Sequence, residues 1–452
     1  MDELKPPETH PDPRSGESSR VEGGAYAGRG GCSGWLEETT MMSEQQYLLP
    51  GIPDRITIEG ILTRAPWKTL CTLCAVNRAW RHAIQSRRVY DARTCTKSSR
   101  TLVVLIHNNP SAAAPRDRSG SGASDSSATG RGGVGPKNPV PAHWRFAVSL
   151  YDPDDGSWIK LPSIPGITSG VPKFCGCAFL DGKLYILGGD DFDRVYSTRE
   201  AHMIDLAAGR GVWERCASME CPRSQFCCAV NNGRIYVFGG GCRPQIDYSR
   251  DAEVFDPEKN TWRSIADMMH SRTNHTVLNL EGRLLVIGGA VWLEAEDEIN
   301  FQKSGGDELF EHCFNPTFAE VYDPRKNKWR TVENITKREK DDAFVVVHGK
   351  MFVLRPDSVH VYDVAYNSWT FVQPISWETQ LRNGAKDCSV RAAAYVGREL
   401  VAVVGRCAEE DYGIILLKSK NFRRKNALMT WEPIASPYVF DTDHHPILSI
   451  QL

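Results

Sequence analysis

The sequence predicts an all-β propeller of six four-stranded blades, preceded by a small α-helical module. Three observations carry this expectation: a strand ending in two glycines that recurs at near-constant spacing, a turn followed at fixed distance by tryptophan, and a helical apolar stripe confined to the front of the chain. The glycine element reads Gly182-Lys-Leu-Tyr-Ile-Leu-Gly188-Gly189, then Gly233-Arg-Ile-Tyr-Val-Phe-Gly239-Gly240, then Gly282-Arg-Leu-Leu-Val-Ile-Gly288-Gly289, with the pairs 51 and 49 residues apart. A repeat of that length, too small to bury both faces of its own sheet, must stack on its neighbours. Closing the stack into a ring protects the strand edges.

The second element runs Tyr151-Asp152-Pro153 to Trp158, Phe255-Asp256-Pro257 to Trp262, Tyr322-Asp323-Pro324 to Trp329, and Tyr362-Asp363-Val364 to Trp369. Asp to Trp is six residues each time, and Asp205 to Trp213 takes eight. Asp-Pro starts a tight turn between antiparallel strands, because Pro presets φ and Asp bonds the turn backbone. The tryptophan supplies a large apolar body to pack between sheets. The double glycine permits backbone angles and close approaches that a Cβ would block. Blades are expected at about 101–165, 175–219, 224–268, 273–335, 341–376 and 388–437. The first lacks an opening strand, which the tail His445-Pro-Ile-Leu-Ser-Ile-Gln-Leu452 can supply to close the ring. The glycine signature fades late: Arg355-Pro356 replaces it in the fifth blade and Gly405 alone remains in the sixth.

Ahead of the propeller, residues 1–44 are Gly-, Ser-, Glu-, Arg- and Pro-rich without period, a composition expected to be disordered. Residues 45–92 are different. Asp54 follows Pro53 as an expected N-cap, and Ile58, Ile61, Leu62 and Ala65 fall on one face of a 3.6-residue period. Pro66 stops that helix or starts the next, and Leu70, Leu73, Val76, Trp80 and Ile84 continue the stripe. Residues 109–142, a Pro/Ala/Ser/Gly/Arg stretch between two strand-like runs, are expected to be a flexible insertion within the first blade of a propeller spanning 101–452.

The double glycine with its spaced Tyr and Trp resembles the kelch repeat. The front segment, Leu49-Pro-Gly-Ile52-Pro53-Asp54 through Ile61-Leu62 and Pro66 to Leu70, Val76 and Trp80, resembles an F-box, with Ile52, Ala65 and Asn77-Arg78 as departures from its pattern. F-box followed by kelch is a plant architecture. The resemblance implies a non-catalytic substrate receptor of an SCF-type cullin ubiquitin ligase. Pro53, Ile61, Leu62, Pro66, Leu70 and Trp80 would serve a Skp-type adaptor, and the propeller would hold a protein substrate for ubiquitination and proteasomal degradation. Val171-Pro-Lys-Phe174-Cys175 ahead of Gly182-Lys-Leu is similar to the plant proteins that regulate cytokinin response regulators and phenylalanine ammonia-lyase. In kelch propellers partners bind the face built by the loops after the glycines and between blades. By that resemblance Asp191, Arg194, Arg223, Arg243, Arg250, Arg272 and Trp292 are the substrate-side candidates, against the plainer reading of solvated rim charge. The stretch 290–318 adds seven carboxylates and one lysine, a loop long enough to be functional.

Other classes are weighed against this. A net charge of −2 gives no global field toward nucleic acid or anionic membrane. The opening Met-Asp-Glu-Leu-Lys lacks the apolar core of a secretion signal, so the 14 cysteines are expected to be reduced and the protein to work in the cytoplasm, the nucleus or both. Cys71-x-x-Cys74 with His82 has no second ligand pair at zinc spacing, so no metal and no cofactor are expected. Lys418 to Lys425 reads as a charged hairpin in preference to a nuclear-localisation patch. The alternatives to a ubiquitin-ligase receptor are a kelch scaffold without degradative role and a copper radical oxidase-like propeller.

Overall fold

A computed structural model describes residues 48–96, 99–108, 145–167, 170–191, 196–207, 211–243, 247–292, 318–332, 335, 343–355, 357–364, 366–376, 388–408, 411–424, 427–438, 440 and 447–452. The expected disordered segment 1–44, the insertion 109–142 and most of the acidic stretch 290–318 lie outside the described residues. The strands assemble into six antiparallel four-stranded blades. Blade 1 takes its inner strand from the C-terminus: Ile447–Gln451 pairs with Thr101–Asn108, Thr101 opposite Gln451 and Leu105 opposite Ile447. Blades 2, 3 and 4 run in simple chain order, from Gly176–Leu180, Cys227–Asn231 and Thr276–Leu280 as inner strands.

Second strands read as unbroken apolar runs because they are covered on both sides. Lys183–Leu187, Arg234–Phe238, Arg283–Ile287 and Lys350–Leu354 each bury their last four residues between adjacent sheets. Asp181-Gly182, Asn232-Gly233, Glu281-Gly282 and His348-Gly349 join first to second strands, and both residues of every pair have positive φ. That is the two-residue hairpin whose twist matches the strands it connects.

The double glycines mark the seams between blades. A Cβ on Gly240 (φ 99°) would stand 2.6 Å from the Ser224 carbonyl oxygen, and one on Gly239 2.7 Å from that of Arg272. The space is used for hydrogen bonds: Gly189 N–H donates to Arg223 O at 2.9 Å and Gly240 N–H to Arg272 O at 2.8 Å. Tryptophan makes a second seam. Its indole N–H donates to the exit loop of the preceding blade: Trp213 to Pro162, Trp262 to Ala217, Trp329 to Ala266 and Trp369 to Ile335, at 2.6–2.8 Å. Asn260 and Asn327 accept from the N–H of the same Ala217 and Ala266, so one residue is held through both its N–H and its C=O. Trp158 donates to Ala435 O at 3.0 Å, closing blade 1 onto blade 6.

Blades 5 and 6 are joined differently. Their outer strands, Ser368–Ser376 and Met429–Pro433, pair in parallel at Ile375↔Met429 and Ser376↔Thr430, so the two blades form one eight-stranded sheet. A single core spans them, including Phe352, Leu354, Val404, Leu417 and Trp431.

The front helices are Asp54–Ile56, a π-helical stretch Thr57–Leu62, Trp67–Leu73, Arg78–Gln85 and Arg87–Cys95. They share a small core of Leu48, Leu62, Leu70, Cys74, Trp80, Ile84 and Val89. The π-turn changes the expected face. A wider turn rotates residues relative to a 3.6 period, so Leu62 is fully buried while Ile61 is 43% exposed. Asp54 is not the N-cap: Pro53 holds that position, and Asp54 Oδ1 accepts the Leu48 N–H at 2.8 Å instead.

Candidate functional site: two opposite faces of one ring

Helices and ring belong to one compact unit spanning Tyr47–Leu452. Tyr90, on Arg87–Cys95, packs against the blade 1–2 core and approaches Gly182 in the first hairpin turn of blade 2. Arg100 then exchanges backbone hydrogen bonds with Leu452, and its guanidinium donates to Asp152 at 2.9 Å. All these contacts fall on the hairpin-turn end of the strands. The double-glycine loops and the blade-to-blade connections lie at the other end. The chain therefore carries its helical module on one face of the ring and its long loops on the opposite one.

On the helical side the six expected adaptor residues divide. Pro53, Ile61 and Pro66 are exposed. Leu62, Leu70 and Trp80 are not: they form the module's own core, with the Trp80 indole N–H donating to Leu48 O at 2.8 Å. A segment this short needs its largest apolar side chains to hold itself together. Two exposed residues went unselected by sequence reasoning, Ile56 and Val76, each 58% accessible. Val76 lay within the apolar stripe but was not singled out. Nothing in a 3.6 period distinguishes Ile56. Arg93 completes the module from inside, donating to the carbonyls of Leu62, Thr63 and Ala65.

On the loop side the substrate candidates also divide. Arg223 and Arg272 are corrections, because both are buried within the blades. Arg223 donates to Gly239 O, Asp251 O and the Glu253 carboxylate at 2.5 Å. Arg272 donates to Gly288 O and to Glu320 at 2.9 Å, and its guanidinium lies 4.8 Å from the Phe318 ring centroid. An arginine just before an inner strand and a glutamate in the third strand are therefore a structural pair repeated in blades 3 and 4. Burial works to raise the Glu320 carboxyl, but hydrogen bonds from His270, Arg272 and the Met269 N–H outweigh it and hold it below the usual range. Asp191 is also buried, in a two-residue ladder with Tyr196. Arg194 and the Trp292 side chain lie outside the described residues, although Trp292 pairs through its backbone with Ser271.

Arg243 and Arg250 are exposed on the loop face. Arg243 is anchored as well as exposed. Its backbone N–H donates to Ser197 Oγ at 2.8 Å, and Ser197 Oγ–H donates to the buried Asp190 at 2.8 Å. Arg243 Nε stands 3.0 Å from Asp190 Oδ2, an ion contact without an aligned hydrogen bond.

A channel of about 1050 Å³ runs through the ring, lined by the inner strands. Cys175, Cys177, Cys227 and Cys228 border it between blades 2 and 3, where burial pushes all four thiols up. Among the described residues no group of three or more His, Cys, Asp or Glu side chains is arranged to hold a metal ion.

Six blades, glycine-and-tryptophan seams and a helical lead define a kelch-type propeller behind an F-box-like module. A family model, the KLHDC2/KLHL20/DRC7 Kelch-repeats domain, matches residues 174–405, just over half of the chain, and the chain belongs to the kelch-repeat family. The F-box/kelch-repeat protein At2g44130 of Arabidopsis thaliana is 26% identical over 300 residues, covering 64% of this chain and 66% of the relative. The F-box/kelch-repeat protein SKIP20 of the same plant is 26% identical over 302 residues, covering 64% and 67%. The chain thus spans about two thirds of the length of these relatives, to which it is similar. The solved structure titled "Structure of YjhT" overlaps 60% of this chain and 85% of its own at a TM-score of 0.44 and 19% identity.

Proposed function

We propose that this chain is a non-catalytic substrate receptor of an SCF-type cullin ubiquitin ligase, working in the cytoplasm or nucleus. The helical module docks a Skp-type adaptor and through it a cullin scaffold. The loop face of the propeller holds the protein substrate. One observation carries the reading: the helical module completes its own core yet leaves Ile56, Ile61 and Val76 exposed at 43–58%, on the side of the ring away from the long loops. Exposed apolar side chains on so small a module are the mark of a docking surface. The receptor contributes proximity, holding a substrate lysine near the charged conjugating enzyme. Phenylalanine ammonia-lyase and cytokinin response regulators are the substrates to try first.

The test is co-purification of a Skp-type adaptor with the full chain and with Ile61→Asp and Val76→Asp. Both positions are exposed, so the variants are expected to melt normally and to lose the adaptor. Undiminished adaptor capture by the double variant refutes the docking surface. Adaptor capture without stabilisation of bound proteins on proteasome inhibition favours a kelch scaffold with no degradative role.

A further inference from the structure

We infer that the notch between blades 2 and 3 on the loop face binds a phosphorylated serine or threonine of the protein ligand. This rests on the receptor reading and names the chemistry of its substrate side. The notch has a volume of about 510 Å³ and is walled by residues 196–200 of blade 2, Arg215 of the outer strand Trp213–Arg215, Ser218 and Pro222 of the connection, and Cys242 and Arg243. That volume lies within the range of small-ligand sites.

Its charge is lopsided. Arg199, Arg215 and Arg243 line it with Glu200, and buried Asp190 engages Arg243 from beneath, so among the described residues three positive groups and two negative leave a surplus of one. Glu200 is already committed, accepting from Arg215 Nη2 at 3.1 Å. The guanidiniums are presented outward: Arg199 is exposed, and the Arg215 and Arg243 side chains are 62% and 51% accessible. Arg243 is also pre-oriented, because buried Asp190 engages its Nε and Ser197 Oγ holds its backbone N–H. Ser218 and Tyr196 add hydroxyls to the wall.

A fixed guanidinium, two further guanidiniums and hydroxyl donors match a group that carries close to two negative charges and three acceptor oxygens. A carboxylate offers two acceptor oxygens to three guanidiniums, where a phosphoryl group offers three. The neighbouring hollow, about 440 Å³, shares Pro222 and Cys242 with the notch and adds Arg250 and Tyr248. It provides a path for the chain flanking the phosphorylated residue. Arg223 lines that hollow but is neutralised by Glu253 and plays no part.

The experiment passes three peptide libraries with identical random flanks over the immobilised full chain. The fixed central residue is phosphoserine, serine or glutamate. The phosphoserine library is expected to be retained about tenfold or more above the other two, the size expected for a charge-assisted pair, and the preference is expected to shrink at high salt. Arg199→Ala and Arg215→Ala, at exposed positions, should each weaken the preference, and Arg199→Glu/Arg215→Glu should abolish it. Equal retention of phosphoserine and serine overturns the proposal. So does glutamate retained as well as phosphoserine, or a preference that survives the double variant. Ile61→Asp separates the two readings. A chain that captures the adaptor but shows no phosphate preference removes this site and leaves the receptor standing. A phosphate preference in a chain that binds no adaptor does the reverse.

Discussion

Blades 2 to 4 and blades 5 to 6 solve one problem in two ways. Each blade must be tied to the next without leaving an unpaired strand edge. Blades 2 to 4 do it at points: a double glycine admits a neighbouring carbonyl, a tryptophan N–H grips an exit loop, and in blades 3 and 4 an arginine reaches a buried glutamate. Blades 5 and 6 lack the glycine pairs and merge their outer strands into a continuous sheet. Point seams leave the loops above them free to vary, and the candidate ligand notch lies over one. The fused region gives up that freedom for a shared core.

The comparison can be broken experimentally. The largest effect is expected from Glu320→Ala, which strands Arg272 in a site where both side chains are fully buried. Removing one partner of such a pair costs about 3–5 kcal/mol, measurable by urea denaturation. Gly240→Ala comes next. Its Cβ would meet a backbone oxygen that cannot turn away, at a φ that side chains avoid, and a loss of about 3 kcal/mol is expected. Gly282→Ala is the control, with similar φ but no atom within 4 Å, and should cost about 1 kcal/mol.

Acid should strike the ring's closure. His107 stacks on Tyr438 at 3.8 Å, donates from Nδ1 to Asn108 O and accepts at Nε2 from Ser149. Burial drives its pKa down to about 4, against the Asn108 bond that favours the charged form. Burial likewise drives His275 down to about 3. Both are neutral in the fold, whereas in the unfolded chain they gain protons near pH 6.5. Below that pH the unfolded chain binds more protons, so stability present at pH 7 is lost progressively toward pH 4, on the order of a few kcal/mol. Urea midpoints at pH 7 and 5 measure it, and His107→Gln should flatten the slope. Trp329→Phe should have a smaller effect, about 1–2 kcal/mol, since an aromatic ring is kept while the N–H to Ala266 and part of the indole body go. Trp158→Phe should match it if the ring is closed at Ala435 as at the other seams.

Much of the fold was legible in the sequence because its devices are local. Gly188-Gly189 and the Asp-to-Trp spacing announce themselves within one repeat, and the C-terminal strand follows from counting what blade 1 lacks. The fusion of blades 5 and 6 was not legible, since pairing 375–376 with 429–430 depends on geometry built by residues far apart in the chain. The site was half legible. Arg223 and Arg272 look like surface arginines until Glu253 and Glu320 are brought beneath them. Leu62 and Ile61 exchange roles through one π-turn that no apolar period announces. The arginine notch escaped notice because Arg199, Arg215 and Arg243 come from three separate segments.

On the two proposals above, one ring presents two independent binding surfaces on opposite faces. The direct measurement is two-sided capture: the full chain, mixed with a Skp-type adaptor and the phosphoserine library, is assayed for both ligands at once in wild type, Ile61→Asp/Val76→Asp and Arg199→Glu/Arg215→Glu. Wild type is expected to hold both, the first variant to lose only the adaptor, and the second to lose only the phosphopeptides. A variant that loses both while melting normally, or wild type in which one ligand displaces the other, would contradict that independence.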